Sequence, residues 1–299
     1  MITVFGSVNM DLIATTARLP EPGETLEGGS FSTAAGGKGA NQALAARRAG
    51  SQVQMVAAVG DDAFAEPALA LLSQAGVDLA RVRTVDGSTG TALILVGGDG
   101  ENMIVVVSGA NGRVTPQDGK AALASMAEGD ILMLQMEIPA SCVEQALTDA
   151  AARGVTTLFN TAPLTPDSIR LAHLATILVS NETEFELLIG RRKLSADERI
   201  SAMRQHHAET GQTLVVTLGG DGVVAMHQGE LLAQKGLTID PVDTVGAGDT
   251  FCGYLAASLD QGLDFAAALR RAAVAGSLAC LKPGAQPAIP MAGDVDARR

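Results

Sequence analysis

The sequence predicts an α/β protein with a doubly wound, mostly parallel central sheet flanked by helices and a small β-sheet lid. Two observations carry this prediction. Short apolar runs alternate with amphipathic runs of helix length, and this alternation is typical of a parallel sheet covered on both faces. Two further segments, rich in alternating and β-branched residues, interrupt the rhythm and predict a separate small β element.

The strands of the central sheet are predicted from short apolar runs, and every run after the first follows a helical stretch. These runs are residues 1–5, 52–59, 131–135, 155–160, 177–180 and 213–218. Helices are predicted over residues 139–153 and 196–210, where Gly154 and Gly211 stand at the expected C-terminal ends. Residues 245–261 and 265–281 predict two final helices.

The interrupting segments are about residues 11–36, with Pro20 and Pro22, and about residues 88–108, with two strands around a GGDGEN turn. If they join in space, they form a lid over one end of the central sheet. An edge extension or a dimer contact explains the same pattern equally well. No Pro/Ser-rich linker divides the chain, so residues 1–299 are predicted as a single domain.

Composition restricts the partners of the chain. Its 299 residues carry a net charge of -12, which disfavours unassisted binding to nucleic acid or to an anionic membrane. No apolar stretch approaches the ~20 residues of a membrane span, and the N-terminus lacks a basic region before its apolar run. The three cysteines are far apart and predict reduced core residues in a cytoplasmic protein.

The first motif with chemical potential is AAGGKGANQALAARRAG, residues 34–50. Lys38 opens a predicted helix on which Asn41, three residues later, lies on the same face, so the two side chains can grip one polar ligand. Gly39 replaces the Ser or Thr of a Walker A loop. A tight turn with a surface lysine is the alternative.

Polar residues also follow predicted strands. Asn9 and Asp11 lie in GSVNMD, at the carboxyl end of the first strand, and Glu137 follows a later strand, in LQMEIP. Ligands of open α/β sheets bind outside the carboxyl ends of the strands, and carboxylates and amides suit the hydroxyl groups of a sugar. An Asx turn and a solvated loop are the alternatives.

Two later strand ends carry SNETE, residues 180–184, and TLGGDG, residues 217–222. Asn181 and Glu184 have the spacing of a capping box, which is a local helix-start role. The TLGGDG glycines suit either a loop that contacts a nucleotide or a hairpin turn.

The last motif is DTVGAGDTFCGYL, residues 243–255. Gly246 and Gly248 at a helix start supply free N–H groups, a favourable site for phosphate. Asp249 alone reads as a first-turn acid worth ~0.3–1 kcal/mol. That reading leaves the glycine pair unexplained, because an interior glycine costs about 1 kcal/mol.

Taken in order, GSVNMD, GGKGANQA, STGTALI, GEN, Glu137, NETE, TLGGDG, DTVGAGDTF and GAQPAIP resemble the ribokinase family of PfkB-type carbohydrate kinases over about residues 2–290. The resemblance implies a doubly wound fold whose β lid also forms a homodimer contact. It implies transfer of a phosphoryl group from ATP to the primary hydroxyl of a pentose, with D-ribose and ribose 5-phosphate as the favoured pair.

The resemblance also assigns roles to matching positions. Asp249 is the expected general base, beside an anion hole of the backbone of Gly246, Ala247 and Gly248. The expected sugar-binding residues are Asn9, Asp11, Gly37, Lys38, Asn41, Glu137 and Asp249. The expected nucleotide-binding residues are Asn181, Thr217, Gly219, Gly220, Gly222, Gly248 and Ala273.

Two cations are implied as well: Mg²⁺ near Glu184 through water, and an activating K⁺ held mostly by backbone carbonyls. The expected K⁺ positions are Asp243, Val245, Ala279, Lys282, Gly284 and Ala288. Ala288 replaces a Ser of several relatives and so removes one side-chain oxygen near the cation. Ala273 replaces a His that some relatives place beside the adenine, which implies a relaxed nucleotide preference.

Three other functions remain open on the sequence alone. A kinase of deoxyribose, fructose, ketodeoxygluconate or a nucleoside uses the same fold, and sequence cannot rank a missing hydroxyl. A silent sugar- or nucleotide-binding regulator is a second possibility, since a fold does not guarantee chemistry. A nicotinamide oxidoreductase fits the fold but requires a GxGxxG fingerprint after the first strand, which is absent.

Overall fold

A computed structural model describes all residues, 1–299, of the chain. The strands are β1 (Ile2–Phe5), β2 (Asn9–Thr16), β3 (Gly28–Gly36), β4 (Val53–Gly60), β5 (Asp78–Val85), β6 (Gly90–Val96), β7 (Asn102–Val107), β8 (Ile131–Leu134), β9 (Thr156–Asn160), β10 (Ile177–Asn181), β11 (Thr213–Thr217), β12 (Val223–His227) and β13 (Glu230–Gln234).

The helices are α1 (Lys38–Arg48), α2 (Ala65–Ala75), α3 (Pro116–Leu123), α4 (Ala140–Ala152), α5 (Pro166–Leu171), α6 (Glu182–Leu188), α7 (Ala196–Thr210), α8 (Ala247–Asp260), α9 (Phe265–Ala279), α10 (Ala285–Ala288) and α11 (Ala292–Asp296). None of these helices has the length and apolar character that a transmembrane segment requires.

The central sheet has nine strands in the order β13-β12-β11-β10-β9-β8-β1-β4-β5. The strands from β5 to β11 pair in parallel, and only β11 with β12 and β12 with β13 pair antiparallel. The predicted, mostly parallel central sheet is therefore confirmed. Because parallel strands end at one edge, the loops after β1, β8, β9, β10 and β11 meet there.

Two hydrophobic cores lie on opposite faces of the central sheet. Side chains alternate along β1, so Val4 lies in one core and Phe5 in the other. Helices α1, α8 and α9 contribute to the first core, and α3 and α4 to the second. Helices cover both faces, which confirms the doubly wound arrangement.

The two interrupting segments form a separate four-stranded sheet in the order β3-β2-β6-β7. An extension of the central sheet edge is therefore the wrong interpretation of these segments. The register places Asp11 opposite Ala92, and Ala92 opposite Val106, so these three side chains share one face. That face carries a predicted sugar-binding residue, which brings the small sheet to the edge where the parallel strands end.

Candidate active site

Asp249 lies in the first turn of α8, where its carboxylate is buried and directed at α1. Its Oδ2 accepts a hydrogen bond from Asn41 Nδ2 at 2.9 Å, and its Oδ1 accepts one from Gln42 Nε2 at 3.0 Å. The negative charge of Asp249 is also the largest cause that raises the pKa of Lys38 above its usual value. The residues of the two glycine-rich motifs therefore meet in one place.

Two further carboxylates, those of Glu137 and Asp11, lie in the polar cleft beside Asp249. Glu137 Oε2 accepts from Ser7 Oγ at 2.5 Å and from the backbone N–H of Lys38 at 3.0 Å, so Glu137 ties β8 to the start of α1. Burial, with the negative charges of Glu137 and Asp249, raises the pKa of Asp11 to about 6. Ionising Asp11 at this position is costly. Hydrogen bonds donated by neutral hydroxyl groups would stabilise its ionised carboxylate.

Asn9 opens β2 and lies almost fully buried at the same cleft. Its Oδ1 accepts from Asn111 Nδ2 at 2.7 Å. Asn111 itself is fixed by the backbone of Val8, accepting from its N–H at 2.9 Å and donating to its carbonyl at 3.2 Å. This bond fixes the orientation of the Asn9 amide and leaves its Nδ2 able to donate to a ligand.

Gly37 immediately precedes α1 and packs against the loop between β1 and β2. A Cβ at this position would lie 2.7 Å from the backbone nitrogen of Asn9 and 3.0 Å from the carbonyl oxygen of Ser7. The close approach of these two segments brings Lys38, at the start of α1, next to the loop that ends at Asn9. The structure thus brings every predicted sugar-binding residue together.

A cavity of about 520 Å³ opens between the loop after β11 and helices α8 and α9. All the predicted nucleotide-binding residues line it: Asn181, Thr217, Gly219, Gly220, Gly222, Gly248 and Ala273. The loop of residues 218–222 also turns β11 into the antiparallel β12. The hairpin turn is therefore confirmed, and the same segment lines the cavity.

A smaller cavity of about 220 Å³ continues from this one to Asp249. It shares Asn181, Thr217 and Gly248 with the larger cavity, and Lys38 and Asp249 line its other end. The two cavities form one path from the nucleotide-sized space to the buried carboxylate. A phosphate chain that follows this path ends beside Asp249.

The N-terminus of α8 forms the wall of that path. Gly246 has φ 75°, a left-handed conformation, and a Cβ there would lie 2.9 Å from Ala285, so only glycine fits. A Cβ at Gly248 would meet nothing within 4 Å, which leaves the approach to its N–H open. The Ala247 N–H donates to the Thr244 carbonyl at 3.3 Å, so it is less available to an anion than its neighbours.

Glu184 has the capping role predicted for it. Its Oε2 accepts from the backbone N–H of Asn181 at 3.0 Å, and Asn181 Oδ1 accepts from the N–H of Glu184 at 2.8 Å. Glu184 also lines the smaller cavity. No cluster of three or more His, Cys, Asp or Glu side chains could hold a metal, and Mg²⁺ in kinases is bound by one or two carboxylates together with substrate phosphates. Glu184 fits that limited role.

The loops before α8 and after α9 lie against each other. Asp243 Oδ1 accepts from the N–H of Val245 at 2.9 Å, and its Oδ2 accepts from the N–H of Gly284 at 2.8 Å. The carboxylate of Asp243 thus pins the two loops together. The predicted cation positions lie on these loops and at the adjoining ends of α9 and α10, namely Asp243, Val245, Ala279, Lys282, Gly284 and Ala288. Backbone carbonyls are groups that suit a weakly hydrated monovalent cation.

Comparison with known proteins decides the family. The model of the pfkB family carbohydrate kinases matches residues 1–292. The chain belongs to the pfkB family of carbohydrate kinases. The ribokinase of Haemophilus influenzae is 36% identical over 290 residues, covering 97% of this chain and 95% of the relative. The ribokinase of Bacillus subtilis is 37% identical over 296 residues, covering 99% and 98%.

A solved structure supports the same family assignment. The ribokinase of Arabidopsis thaliana, complexed with ribose and ATP, matches this pfkB kinase with a TM-score of 0.89 at 32% identity, covering 99% of this chain and 97% of that one. The ribokinase-like fold is thereby confirmed, including the separate small sheet.

Sequence reasoning missed several residues of this kinase site. Gln42 contacts the carboxylate of Asp249 but stands in an apolar helical run, where nothing in the local sequence distinguishes it. Asn111 orients Asn9 across 102 positions of sequence. Cys252 is buried in the core, as predicted, and it also lines the smaller cavity. Burial raises the pKa of its thiol well above the usual value.

Proposed function

We propose that this pfkB-family protein is an ATP-dependent kinase that phosphorylates the primary hydroxyl of D-ribose to give ribose 5-phosphate. The observation that carries the proposal is the position of Asp249, where the polar cleft and the path from the nucleotide-sized cavity meet. The names of the relatives, including a ribokinase complexed with ribose and ATP, support it.

Phosphoryl transfer requires in-line positioning and stabilisation of spreading charge. Asp249 accepts the proton of the primary hydroxyl as the hydroxyl oxygen attacks the γ-phosphorus of ATP. The free N–H groups of Gly246 and Gly248 stabilise the equatorial oxygens of the transferring group. Lys38, Asn41 and the cleft carboxylates hold the other hydroxyls.

Two cations complete the proposal. Mg²⁺ beside Glu184 would neutralise negative charge on the phosphates of ATP. Glu184 would contact this ion through water. A K⁺ ion held by the carbonyls around Asp243 would stabilise the loop that presents Gly246. Ala288 contributes only its carbonyl there.

The base assignment is tested by Asp249→Asn. Removal of a general base lowers turnover by a factor of roughly 10² to 10⁴, whereas the sugar keeps its other contacts. We expect kcat to fall by that factor and the Kd for sugar, measured by calorimetry, to change little. Asp197→Asn, at an exposed position of α7, is the matched control and should retain turnover. Near wild-type kcat in Asp249→Asn contradicts the assignment.

The substrate is tested by a coupled ADP-release assay with ribose, deoxyribose, fructose, other pentoses and nucleosides, with and without K⁺. A site built for a hydroxyl rejects an analogue that lacks it, because buried polar groups are left unpaired. We expect a K⁺-dependent preference for ribose. A preference for another sugar makes the chain a kinase of that sugar, and no turnover with any of them supports a silent regulator.

Three further expectations belong to this proposal. The small sheet closes over the sugar as a lid and excludes water, and strand β7 joins two copies into a homodimer. The protein acts in the cytoplasm, without nucleic acid or membrane partners. These remain predictions.

A further inference from the structure

We propose that Gln42 and Gln135 are positioning residues that fix the orientation of the Asp249 carboxylate. The inference rests on the proposed function and concerns groups that touch neither sugar nor nucleotide. Both glutamine side chains are fully buried, and they form a chain of amides from the end of β8 through α1 to α8.

The first link is the pair of donors on Asp249. Asn41 donates to Oδ2 at 2.9 Å and Gln42 to Oδ1 at 3.0 Å. With one donor on each oxygen the carboxylate cannot rotate without breaking a charge-assisted hydrogen bond. Each oxygen has a further acceptor site, and the rotation decides whether that site faces the sugar hydroxyl.

The second link determines which end of the Gln42 amide faces Asp249. Gln135 Nε2 donates to Gln42 Oε1 at 2.6 Å. This bond holds the oxygen of Gln42 away from Asp249 and leaves Nε2 to donate. If the amide turned over, its oxygen would face a carboxylate oxygen, which is repulsive in a buried site.

The third link anchors the chain in the sheet. Asn160 Nδ2 donates to the carbonyl of Val179 at 3.2 Å, and a carbonyl can only accept. Asn160 therefore turns Oδ1 towards Gln42 Nε2, at 3.4 Å. The donor direction at Asp249 is thus set by residues at the ends of β8, β9 and β10.

Gly6 provides the space for this chain. A Cβ at Gly6 would lie 2.1 Å from Gln135 Oε1, so any larger residue displaces the Gln135 side chain. The small size of Gly6 therefore has a structural reason beside Asp249.

The test is a double-mutant cycle with Gln42→Met and Gln135→Met. A hydrogen bond to a charged group corresponds to roughly ten- to a hundredfold in rate. We expect Gln42→Met to lower kcat by that factor, with sugar Kd and the KM for ATP within about twofold of wild type. Gln135→Met should lower kcat by less, and the double variant should match Gln42→Met, because Gln135 acts only through Gln42.

Turnover is normalised to the sugar-binding stoichiometry from calorimetry, so that unfolded material is not counted. Gln212→Met removes a buried glutamine that donates only to the backbone carbonyls of Ala172 and Ala175, at 2.7 and 2.6 Å. This control should lose stability and keep kcat.

Unchanged kcat in Gln42→Met overturns the inference, as does a loss of sugar affinity equal to the loss of kcat, or additive losses in the double variant. If wild type shows no turnover with any sugar, the proposed function fails instead. The two failures are therefore distinguishable within one experiment.

Discussion

Asp11 illustrates how a binding residue can conflict with stability. Its carboxyl group lies near Glu137 and Asp249, and burial together with these charges raises its pKa to about 6. A carboxylate accepts hydroxyl hydrogen bonds more strongly than a carboxylic acid does. The ionised form is therefore the one suited to the sugar, although the empty cleft disfavours it.

We expect the affinity for sugar to fall as the pH drops through about 6, because Asp11 becomes protonated there. Between pH 7.5 and pH 5 the loss should be about tenfold, since one pKa unit corresponds to a factor of ten. Calorimetry across this range measures it. Asp11→Asn should bind weakly at every pH, and a pH profile like that of wild type would assign the titration to another group.

The same pKa has a consequence for folding. The folded-state pKa lies above 3.8, the ordinary value of an aspartate. The stabilising effect of the proton is therefore complete below about pH 3.8 and is lost as the pH rises through about 6. At pH 8 the charged, buried Asp11 destabilises the protein. We expect Asp11→Asn to be more stable than wild type at pH 8 in urea denaturation. Equal stabilities would contradict the raised pKa.

Asn111 supports the sugar site from behind. Replacing it by Leu leaves the N–H and the carbonyl of Val8 without partners and frees Asn9 to turn. We expect Asn111→Leu to cost about 1–3 kcal/mol of stability and to weaken sugar binding by roughly tenfold with little change in the KM for ATP. Denaturation and calorimetry measure the two effects, and a loss of stability without a loss of sugar affinity would make Asn111 purely structural.

At this scale the sequence indicated the residues whose types are unusual in their setting. Asp249 between glycines and Lys38 after a glycine pair stand out locally. Gln42 does not, because a glutamine on a helix looks the same whether it faces solvent or a carboxylate 207 positions away. Such partners depend on tertiary contacts that no local pattern encodes.

The packing of α8 on α1 is the element-level device that brings Asp249 to its donors. Gly253 on α8 faces α1, and a Cβ there would lie 2.5 Å from the Ala45 Cβ and 2.6 Å from the Gln42 carbonyl oxygen. The two helices approach so closely only because this residue has no side chain. An interior glycine, normally unfavourable in a helix, is here a condition of the site.

We expect Gly253→Ala to push α8 away from α1 and to separate Asp249 from Asn41 and Gln42. Overpacking of this kind costs about 1–3 kcal/mol, and kcat should fall more than sugar affinity. Steady-state kinetics and denaturation check both effects. Gly293→Ala, where a Cβ would meet nothing within 4 Å, is the control. Wild-type kcat in Gly253→Ala would show that the helix spacing is not needed.

Elements with strong periodicity were predictable, to within two residues at their ends. β5 was missed because Asp78, Arg81 and Arg83 interrupt its apolar pattern. An edge strand needs no continuous apolar run, since one side of it meets solvent. β12 and β13 were not predicted as strands of the sheet either.

For the whole molecule, the open question is what covers the small sheet. Met103, Ile104, Val105, Val106 and Val107 of β7 are all exposed, as is Phe31 of β3. Adjacent residues of a strand point to opposite faces, so both faces expose apolar side chains. An apolar patch of this kind marks an interaction site.

We expect the protein to be a dimer of about twice 30.4 kDa in light scattering. The double variant Ile104→Glu with Val105→Glu charges both faces of β7 and should be monomeric. Met291→Glu, also at an exposed apolar position, should remain dimeric. A monomeric wild type removes the proposed homodimer, and a dimeric double variant places the contact elsewhere.

The sugar-binding residues are divided between the two sheets: Asn9 and Asp11 belong to β2 of the small sheet, whereas Lys38, Glu137 and Asp249 belong to elements around the central one. A sugar held as proposed would therefore contact both sheets at once. In that proposal, the hydrogen bonds that select the sugar are also the ones that hold the small sheet against the central sheet.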